Sequence, residues 1–246
     1  MLSKTKVKYI QSLGHKKVRD ELGMFIAEGP KVVEELLRSD KFSCHMVCGM
    51  GNYLKDLAAN TSGAEVIELE AHELEKISQL NTPNSVVAIF SKAEVPELTI
   101  SNKISILLDG IRDPGNMGTI IRTAHWYGVE NIICSRDSVD CYNPKVVQAT
   151  MGSLGAVHVS YDDLSEMIAL HPSISVYAAT LSGVSVFSTG RIKEGFLIIG
   201  NEGAGIRTEL MGKASQQISI PSVGKADSLN AAVACGILLA ILIGGE

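Results

Sequence analysis

The chain has 246 residues and a mass of 26.3 kDa, enough for one large domain or two smaller ones with a core that needs no disulfide or metal. Hydrophobic residues make up 46% and charged residues 20%, which excludes global disorder. The formal net charge of −5 weighs against nucleic-acid binding through bulk charge. Five cysteines is an odd count, and the opening residues MLSKTKVKYIQSLGHKK hold no apolar signal core. A reducing, cytoplasmic setting with free thiols is expected. Cys44 and Cys48 are spaced CxxxC with no second Cys/His pair nearby, so no zinc site is expected.

Residues 1–19 carry Lys4, Lys6, Lys8, Lys16, Lys17 and Arg19 and no acid. This basic arm reads as a solvated face or fraying tail, or as a phosphate-contacting arm, and composition favours the first. Residues 16–21 form a polar helical stretch. Residues 24–27 read as a short apolar strand, stopped by Glu28-Gly29-Pro30. Val32, Val33, Leu36 and Leu37 recur at helical spacing over 31–38. Strands are expected over 44–48, 64–69 and 86–90, and a helix over 71–80. Together they make a small α/β domain over residues 1–95. The stretch 91–102, SKAEVPELTISN, is polar and reads as a linker.

Residues 96–246 repeat strand, loop and helix. Strands are expected over 104–108, 131–134, 157–160, 175–179, 196–199 and 218–220. Helices are expected over 119–127, stopped by Gly128, and over 144–151, opened by Pro144. The last helix is expected over 228–243. Its apolar run, 231–243, falls short of the ~20 residues of a membrane span and reads as a buried or interface helix. Continuous apolar strands alternating with helices imply an α/β fold with a largely parallel sheet covered on both faces.

Three loops follow strands at their carboxyl ends, where such sheets place ligands. The first, DGIRDPGNMG at 109–118, precedes a helix and carries Asn116, with Arg122 six positions on. Both residues read as buried. A helix start with an Arg one turn inside suits a phosphate or a developing negative charge. Equally, Asn116 could cap the helix and Arg122 could pair with a carboxylate. The second loop, GNEGAG at 200–205, can bring backbone close to a ligand. It lacks the GxGxxG spacing of a dinucleotide site. The third, PSVGKADSLN at 221–230, sets Ser228 at an N-cap position, and capping alone would account for it.

In combination the three segments resemble motifs 1, 2 and 3 of the SpoU (TrmH-like) RNA ribose 2′-O-methyltransferases of the SPOUT superfamily. The matching stretches are DPGNMGTIIRTAHWYGV, LIIGNEGAGI and ISIPSVGKADSLNAAVA, in the family order. KYIQSLGHKKVRDELGMFIAEGPKVVEELL resembles the family's N-terminal RNA substrate-binding domain. The resemblance implies a trefoil-knotted methyltransferase domain and S-adenosylmethionine bound in a bent form by the knot loops. It implies a homodimer with the active site at the subunit interface and an RNA substrate, with ribosomal RNA favoured and transfer RNA left open; no metal or membrane partner is expected. Cofactor contacts would fall on Thr180, Gly200, Ile220 and Leu229, and the catalytic set on Asn116, Arg122, Glu202, Ser228 and Asn230. Arg122 is the family's proposed base, yet an arginine stays protonated in proteins. Holding the adjacent phosphate and stabilising an alkoxide suits it better. Glu202 would fix Arg122 or Asn116. One departure is Asn84 in LNTPNSVVAIF, where a Gln is expected, which bears on substrate detail only. Two other readings stay open: a dinucleotide-dependent oxidoreductase, and an RNA-binding protein of this fold without catalysis.

Overall fold

The computed structural model describes residues 2–57, 61, 63–80, 82–94 and 98–244, apart from the side chain of Asp56. In chain order the first elements are α1 (Lys4–Ser12), α2 (Lys16–Leu22), β1 (Met24–Glu28), α3 (Pro30–Leu37), β2 (Cys44–Gly49), α4 (Gly51–Leu57), β3 (Glu65–Glu68), α5 (Ala71–Ile77) and β4 (Val86–Ser91). Then come β5 (Ile104–Asp109), α6 (Pro114–Trp126), β6 (Asn131–Ser135), α7 (Pro144–Thr150), β7 (His158–Asp162) and α8 (Leu164–Leu170). The chain closes with β8 (Val176–Ser185), α9 (Val186–Thr189), β9 (Gly195–Gly200), α10 (Thr208–Met211), β10 (Gln216–Ser219) and α11 (Ala231–Leu242). They divide into two units: Met1–Glu94 with Asp140–Ala156, and Val95–Val139 with Val157–Glu246.

The second unit is an all-parallel six-stranded sheet in the order β10-β8-β9-β5-β6-β7. Every residue of β5 and β6 is buried, as expected for strands covered on both faces. One face holds Leu107, Ile133, Phe196 and Ile198 under Leu164 and Ile168 of α8 and Leu210 of α10. Ile106 and Leu108 alternate with Leu107 and point the other way. Helices α6 and α11 pack on each other, and α11 also touches α9 and β9. The chain therefore lays down β10 outside β8 and then places α11 against α6, α9 and β9. Ile100 belongs to this core and Thr99 O accepts from Asn131 Nδ2, so the end of the expected linker is part of the sheet unit. Residues 95–97 of that linker lie outside the described residues.

The first unit has a four-stranded sheet, β1-β4-β2-β3, parallel only between β2 and β3. Its core joins Ile26, Val87 and Ile89 to Leu74 and Ile77 of α5 and to Ile10 and Leu13. The basic arm is thus a solvated face and not a fraying tail. It forms α1 and α2, with Ser3 capping α1. Lys6 pairs with Glu65, Lys16 with Asp20 and Lys17 with Glu21. Arg19 is 1% exposed, and its guanidinium bonds Asp140 Oδ2 at 2.6 and 3.1 Å and the carbonyls of Leu13 and Gly14 at 2.9 Å. Arg19 cannot contact RNA phosphates, because its donors are used inside the fold.

Residues 140–156 lie in sequence among the strands of the second unit, yet they pack with the first unit. Besides Asp140, the Tyr142 ring sits 4.8 Å from that of Phe25. Gly152, at φ +92°, lets this segment approach α3 so closely that a Cβ would lie 2.3 Å from Cβ of Glu35. The helical signal over 144–151 correctly marks α7, but periodicity does not say which core a helix joins. None of the five cysteines is in a disulfide, and burial pushes the thiols of Cys44 to about 11 and of Cys48 and Cys235 to about 12. Among the described residues no helix is long and apolar enough to cross a membrane.

The buried ion pair yields a stability test. Asp140→Ala leaves a desolvated guanidinium with only two carbonyls, and should destabilise the protein by about 3–5 kcal/mol, read from the urea midpoint. A loss under about 1 kcal/mol, the level of a surface pair, would mean that the pair does not hold the segment.

Candidate active site

The parallel sheet brings the carboxyl ends of β5, β9 and β10 to one edge, and the three motif loops leave from there. The helix of the first loop starts earlier than expected, at Pro114 rather than 119. Asp113 is its N-cap, accepting from Asn116 N at 2.8 Å, and Pro114 supplies the preset first-turn φ. Asn116 is therefore not the cap. It lies in the first turn, 9% exposed, with its side-chain amide free to reach other loops.

Both ends of that amide are engaged. Asn116 Nδ2 donates to Glu202 Oε1 of the second loop, and Asn116 Oδ1 accepts from Asn230 Nδ2 of the third at 2.8 Å. Asn230 also caps α11, its Oδ1 accepting from Ala232 N at 3.0 Å and Val233 N at 3.2 Å. One polar cluster thus gathers three of the expected catalytic residues from segments 86 and 114 positions apart.

Two other residues stand apart. Ser228 is exposed and is not an N-cap, since α11 begins at Ala231 and Asn230 does the capping. Arg122 is exposed, not buried, and makes no hydrogen bond or ion pair among the described residues. The buried positions of α6 are 116, 117, 118, 120, 121 and 124, which leave 122 on the outer side. At ~100° per residue it lies roughly 120° around the helix from Asn116. Glu202 accordingly fixes Asn116 and not Arg122.

The expected cofactor residues sit on the same edge. Gly200 ends β9, but its lack of a side chain serves the loop itself: a Cβ would lie 2.4 Å from Gly205 C and 2.6 Å from Ile206 N. Thr180 lies where β8 loops out, since the register with β10 jumps from Ala178 to Val184 between Gln217 and Ile218. Thr180 Oγ1 is sealed from solvent and has no hydrogen-bond partner among the described residues. A bound polar group would offset that desolvation cost. Ile220 is half-buried just after β10, and Leu229 is 45% exposed before α11. An orphaned hydroxyl and two apolar side chains fit an adenosyl amino acid. No group of His, Cys, Asp and Glu able to hold a metal occurs among the described residues.

Four residues were not anticipated. Asn201 closes the second loop on itself through Gly205 and donates from Nδ2 to Gly110 O at 2.8 Å. Arg207 N donates to Asp109 Oδ2 at 2.7 Å, and Arg207 Nη2 to Asp137 Oδ1 at 2.5 Å. The Arg207 hydrogen bond, with a second from Ser135, holds the Asp137 carboxyl below the usual range. The available signal was Asp109 itself, a charged residue closing an otherwise uncharged, buried strand. A cleft of about 360 Å³ opens beside this network, lined by Arg136, Asp137, Asp162, Asp163, Arg207 and Glu209 among others. None of the nine expected site residues lines it.

Fold and cluster define an α/β protein with its polar site at the carboxyl ends of a parallel sheet and a second small α/β unit. The chain belongs to the SpoU rRNA Methylase family, which it matches over residues 103–240. Residues 4–88 match the MRM3-like substrate binding domain. The 23S rRNA (guanosine(2553)-2′-O)-methyltransferase RlmP of Bacillus subtilis is 30% identical over 95% of this chain and 94% of its own length. Among solved structures, a TrmH-family protein of Porphyromonas gingivalis superposes with TM-score 0.87 at 35% identity, over 98% of this chain and 97% of that one. The AdoMet-bound rRNA methyltransferase of Sinorhizobium meliloti gives 0.86 at 33% identity, over 98% and 94%. The oxidoreductase reading is set aside by the family match.

The Gly200 contacts change what a substitution there should do. Gly200→Val drives a side chain into the backbone of its own loop, so melting temperature and cofactor affinity should fall together. Affinity lost at an unchanged melting temperature would instead show that Gly200 makes room for ligand.

Proposed function

We propose that this chain transfers the methyl group of S-adenosylmethionine to a ribose 2′-hydroxyl of ribosomal RNA, in the cytoplasm and as a homodimer. The observation that carries the reading is the hydrogen-bonded chain Asn230–Asn116–Glu202, which joins all three motif loops. Residues 96–246 form the methyltransferase part and residues 1–95 the RNA substrate-binding part, with 140–156 packed on the latter. Ribosomal RNA is favoured over transfer RNA by the activity of the Bacillus relative, a 23S rRNA methyltransferase.

When bound, S-adenosylmethionine supplies an electrophilic methyl on a sulfonium. Thr180, Gly200, Ile220 and Leu229 would hold it. The ribose hydroxyl is a poor nucleophile until its proton leaves. Glu202 has Oε1 committed to Asn116, which leaves Oε2 to accept a proton or a hydroxyl hydrogen bond. Ser228 presents an exposed hydroxyl near the cap of α11 to orient substrate. Arg122 supplies permanent positive charge for a phosphate and the developing alkoxide.

Arg122 faces away from its own cluster, so it serves the site of a partner copy. The same outward side of α6 carries Trp126, 83% exposed, and α11 leaves Val233 50% exposed. A helix apolar on all sides needs a second cover. The trefoil knot implied by the family belongs to this reading.

Purified protein, tritiated S-adenosylmethionine and ribosomal or transfer RNA test the reaction. Label should enter ribosomal RNA as ribose-methylated nucleoside, whereas base methylation or no transfer would refute it. Arg122→Ala should cost about a hundred- to thousand-fold in rate with cofactor affinity unchanged. Arg122→Lys should recover little, because it lacks the planar fork. Mixing inactive Arg122→Ala with inactive Asn116→Ala protein should restore transfer through heterodimers. No recovery would place Arg122 in its own chain's site.

The dimer has its own readout. Trp126 is the only tryptophan, so its fluorescence reports the outer face of α6. Emission should move to the red on dilution as the dimer parts. A monomer at micromolar concentration in sedimentation would remove the dimer.

A further inference from the structure

The second motif loop carries Glu202 at its tip, yet Glu202 itself is exposed and has one described tether, Asn116. The loop is closed from Asn201 to Gly205 by a pair of backbone hydrogen bonds at 2.9 and 3.1 Å. Asn201 Oδ1 also accepts from Gly203 N and Ala204 N, which stiffens the turn. A rigid turn fixes its tip only if its base is fixed. At its leading end, Asn201 Nδ2 holds Gly110 O. At its trailing end stands Arg207.

Arg207 bridges two carboxylates on adjacent strand ends. Its backbone N–H donates to Asp109 Oδ2 at 2.7 Å, its Nε lies 3.3 Å from Asp109 Oδ1, and its Nη2 donates to Asp137 Oδ1 at 2.5 Å. Asp109 is 1% exposed, and a carboxylate so buried needs a cationic or N–H partner. Asp137 is tied in turn to Ser135 Oγ at 2.8 Å, and that same oxygen accepts from Gly110 N at 2.8 Å. The first loop, the second loop and the end of β6 therefore share one charged network. That network lies outside the Asn230–Asn116–Glu202 cluster and touches none of its side chains.

We propose that Arg207 is a positioning residue for methyl transfer: by clamping Asp109 and Asp137 it sets the base of the 201–205 turn and thereby the Glu202 carboxylate against Asn116. The inference rests on the methyl-transfer reading above. A lysine cannot replace this arginine, because one ammonium does not span two carboxylates with a planar fork. A displacement of about 1 Å at a reacting group can cost ~100-fold in rate, so the clamp acts on turnover rather than on binding.

The test uses the full-length protein, tritiated S-adenosylmethionine and ribosomal RNA under single-turnover conditions. Arg207 is half-exposed, so Arg207→Met should fold. It should lower the methyl-transfer rate roughly 10- to 100-fold. RNA KM and the affinity for S-adenosylhomocysteine should stay within about threefold of wild type, the signature of an interaction made at the reacting centre. Arg207→Lys should regain only part of the rate. The decisive arm combines Arg207→Met with Glu202→Gln. If Arg207 acts through Glu202, its loss costs nothing further once the carboxylate is gone. An equal fold-loss in both backgrounds would show a general structural role and overturn the inference. Should Arg207→Met fail to fold, Asp137→Asn cuts the same clamp while leaving a group to bond Ser135, and carries the same cycle. A Glu202→Gln protein as fast as wild type would refute the site and this inference with it. A slow Glu202→Gln beside a fast, folded Arg207→Met would overturn this inference alone.

Discussion

The Asn116 side-chain amide is the interaction on which the site depends. An amide offers a donor at one end and an acceptor at the other, and here each end meets a different segment. A carboxylate in its place would repel Glu202, and an aliphatic side chain would leave Glu202 and Asn230 without their partner. The arrangement also fixes the amide's orientation. Nδ2 must face the Glu202 carboxylate, and Oδ1 must face the Asn230 N–H.

That single side chain works because the backbone delivers it. The early start of α6 at Pro114 turns Asn116 inward within the first turn, while the Asp113 cap satisfies the free N–H that would otherwise compete for it. Asn230 shows the same economy at the third loop. Its Oδ1 caps α11 and its Nδ2 joins the cluster, so the start of the last helix and the geometry of the site are one structure. Loss of the Asn230 cap would then disturb a helix that covers α6 as well as the cluster itself.

Much of this was legible in sequence, and the gaps have physical causes. The apolar runs at 104–108 and 196–199 gave β5 and β9 almost to the residue, since strands buried on both faces have no polar alternation to misread. The three loops were marked by Gly, Pro and Asn, and the motifs named their chemistry. The start of α6 was missed because Gly115 and Gly118 suppress helical propensity, and a tertiary hydrogen bond outweighs that local cost. The N-terminal arm was half legible: its exposed lysines make the solvated face that its charge suggests, while the buried Ile10 and Leu13, at helical spacing, rule out a fraying tail. Burial of Arg19 was invisible, since its partner Asp140 is 121 positions away. Arg122 was misplaced for a simpler reason. A helix buries one side, and the neighbouring apolar positions 120, 121 and 124 left no room there for 122.

Charge limits how RNA can approach the sheet unit. The cleft beside Arg207 counts Asp137, Asp162, Asp163 and Glu209 against Arg136 and Arg207. Both arginines are already paired there, Arg136 with Asp162 and Arg207 with Asp109 and Asp137. A phosphate backbone finds no spare cation in that cleft and meets a field of its own sign. Arg122 is different, being exposed and unpaired among the described residues. Its charge is available to a phosphate without breaking any internal bond. The acidic balance of the whole chain is therefore compatible with an RNA substrate, provided that the phosphate is drawn to Arg122 where it meets the partner copy's site, and turned away from the Arg207 clamp. The negative cleft then protects the clamp, since a phosphate bound to Arg207 would compete directly with Asp109 and Asp137 for the same guanidinium.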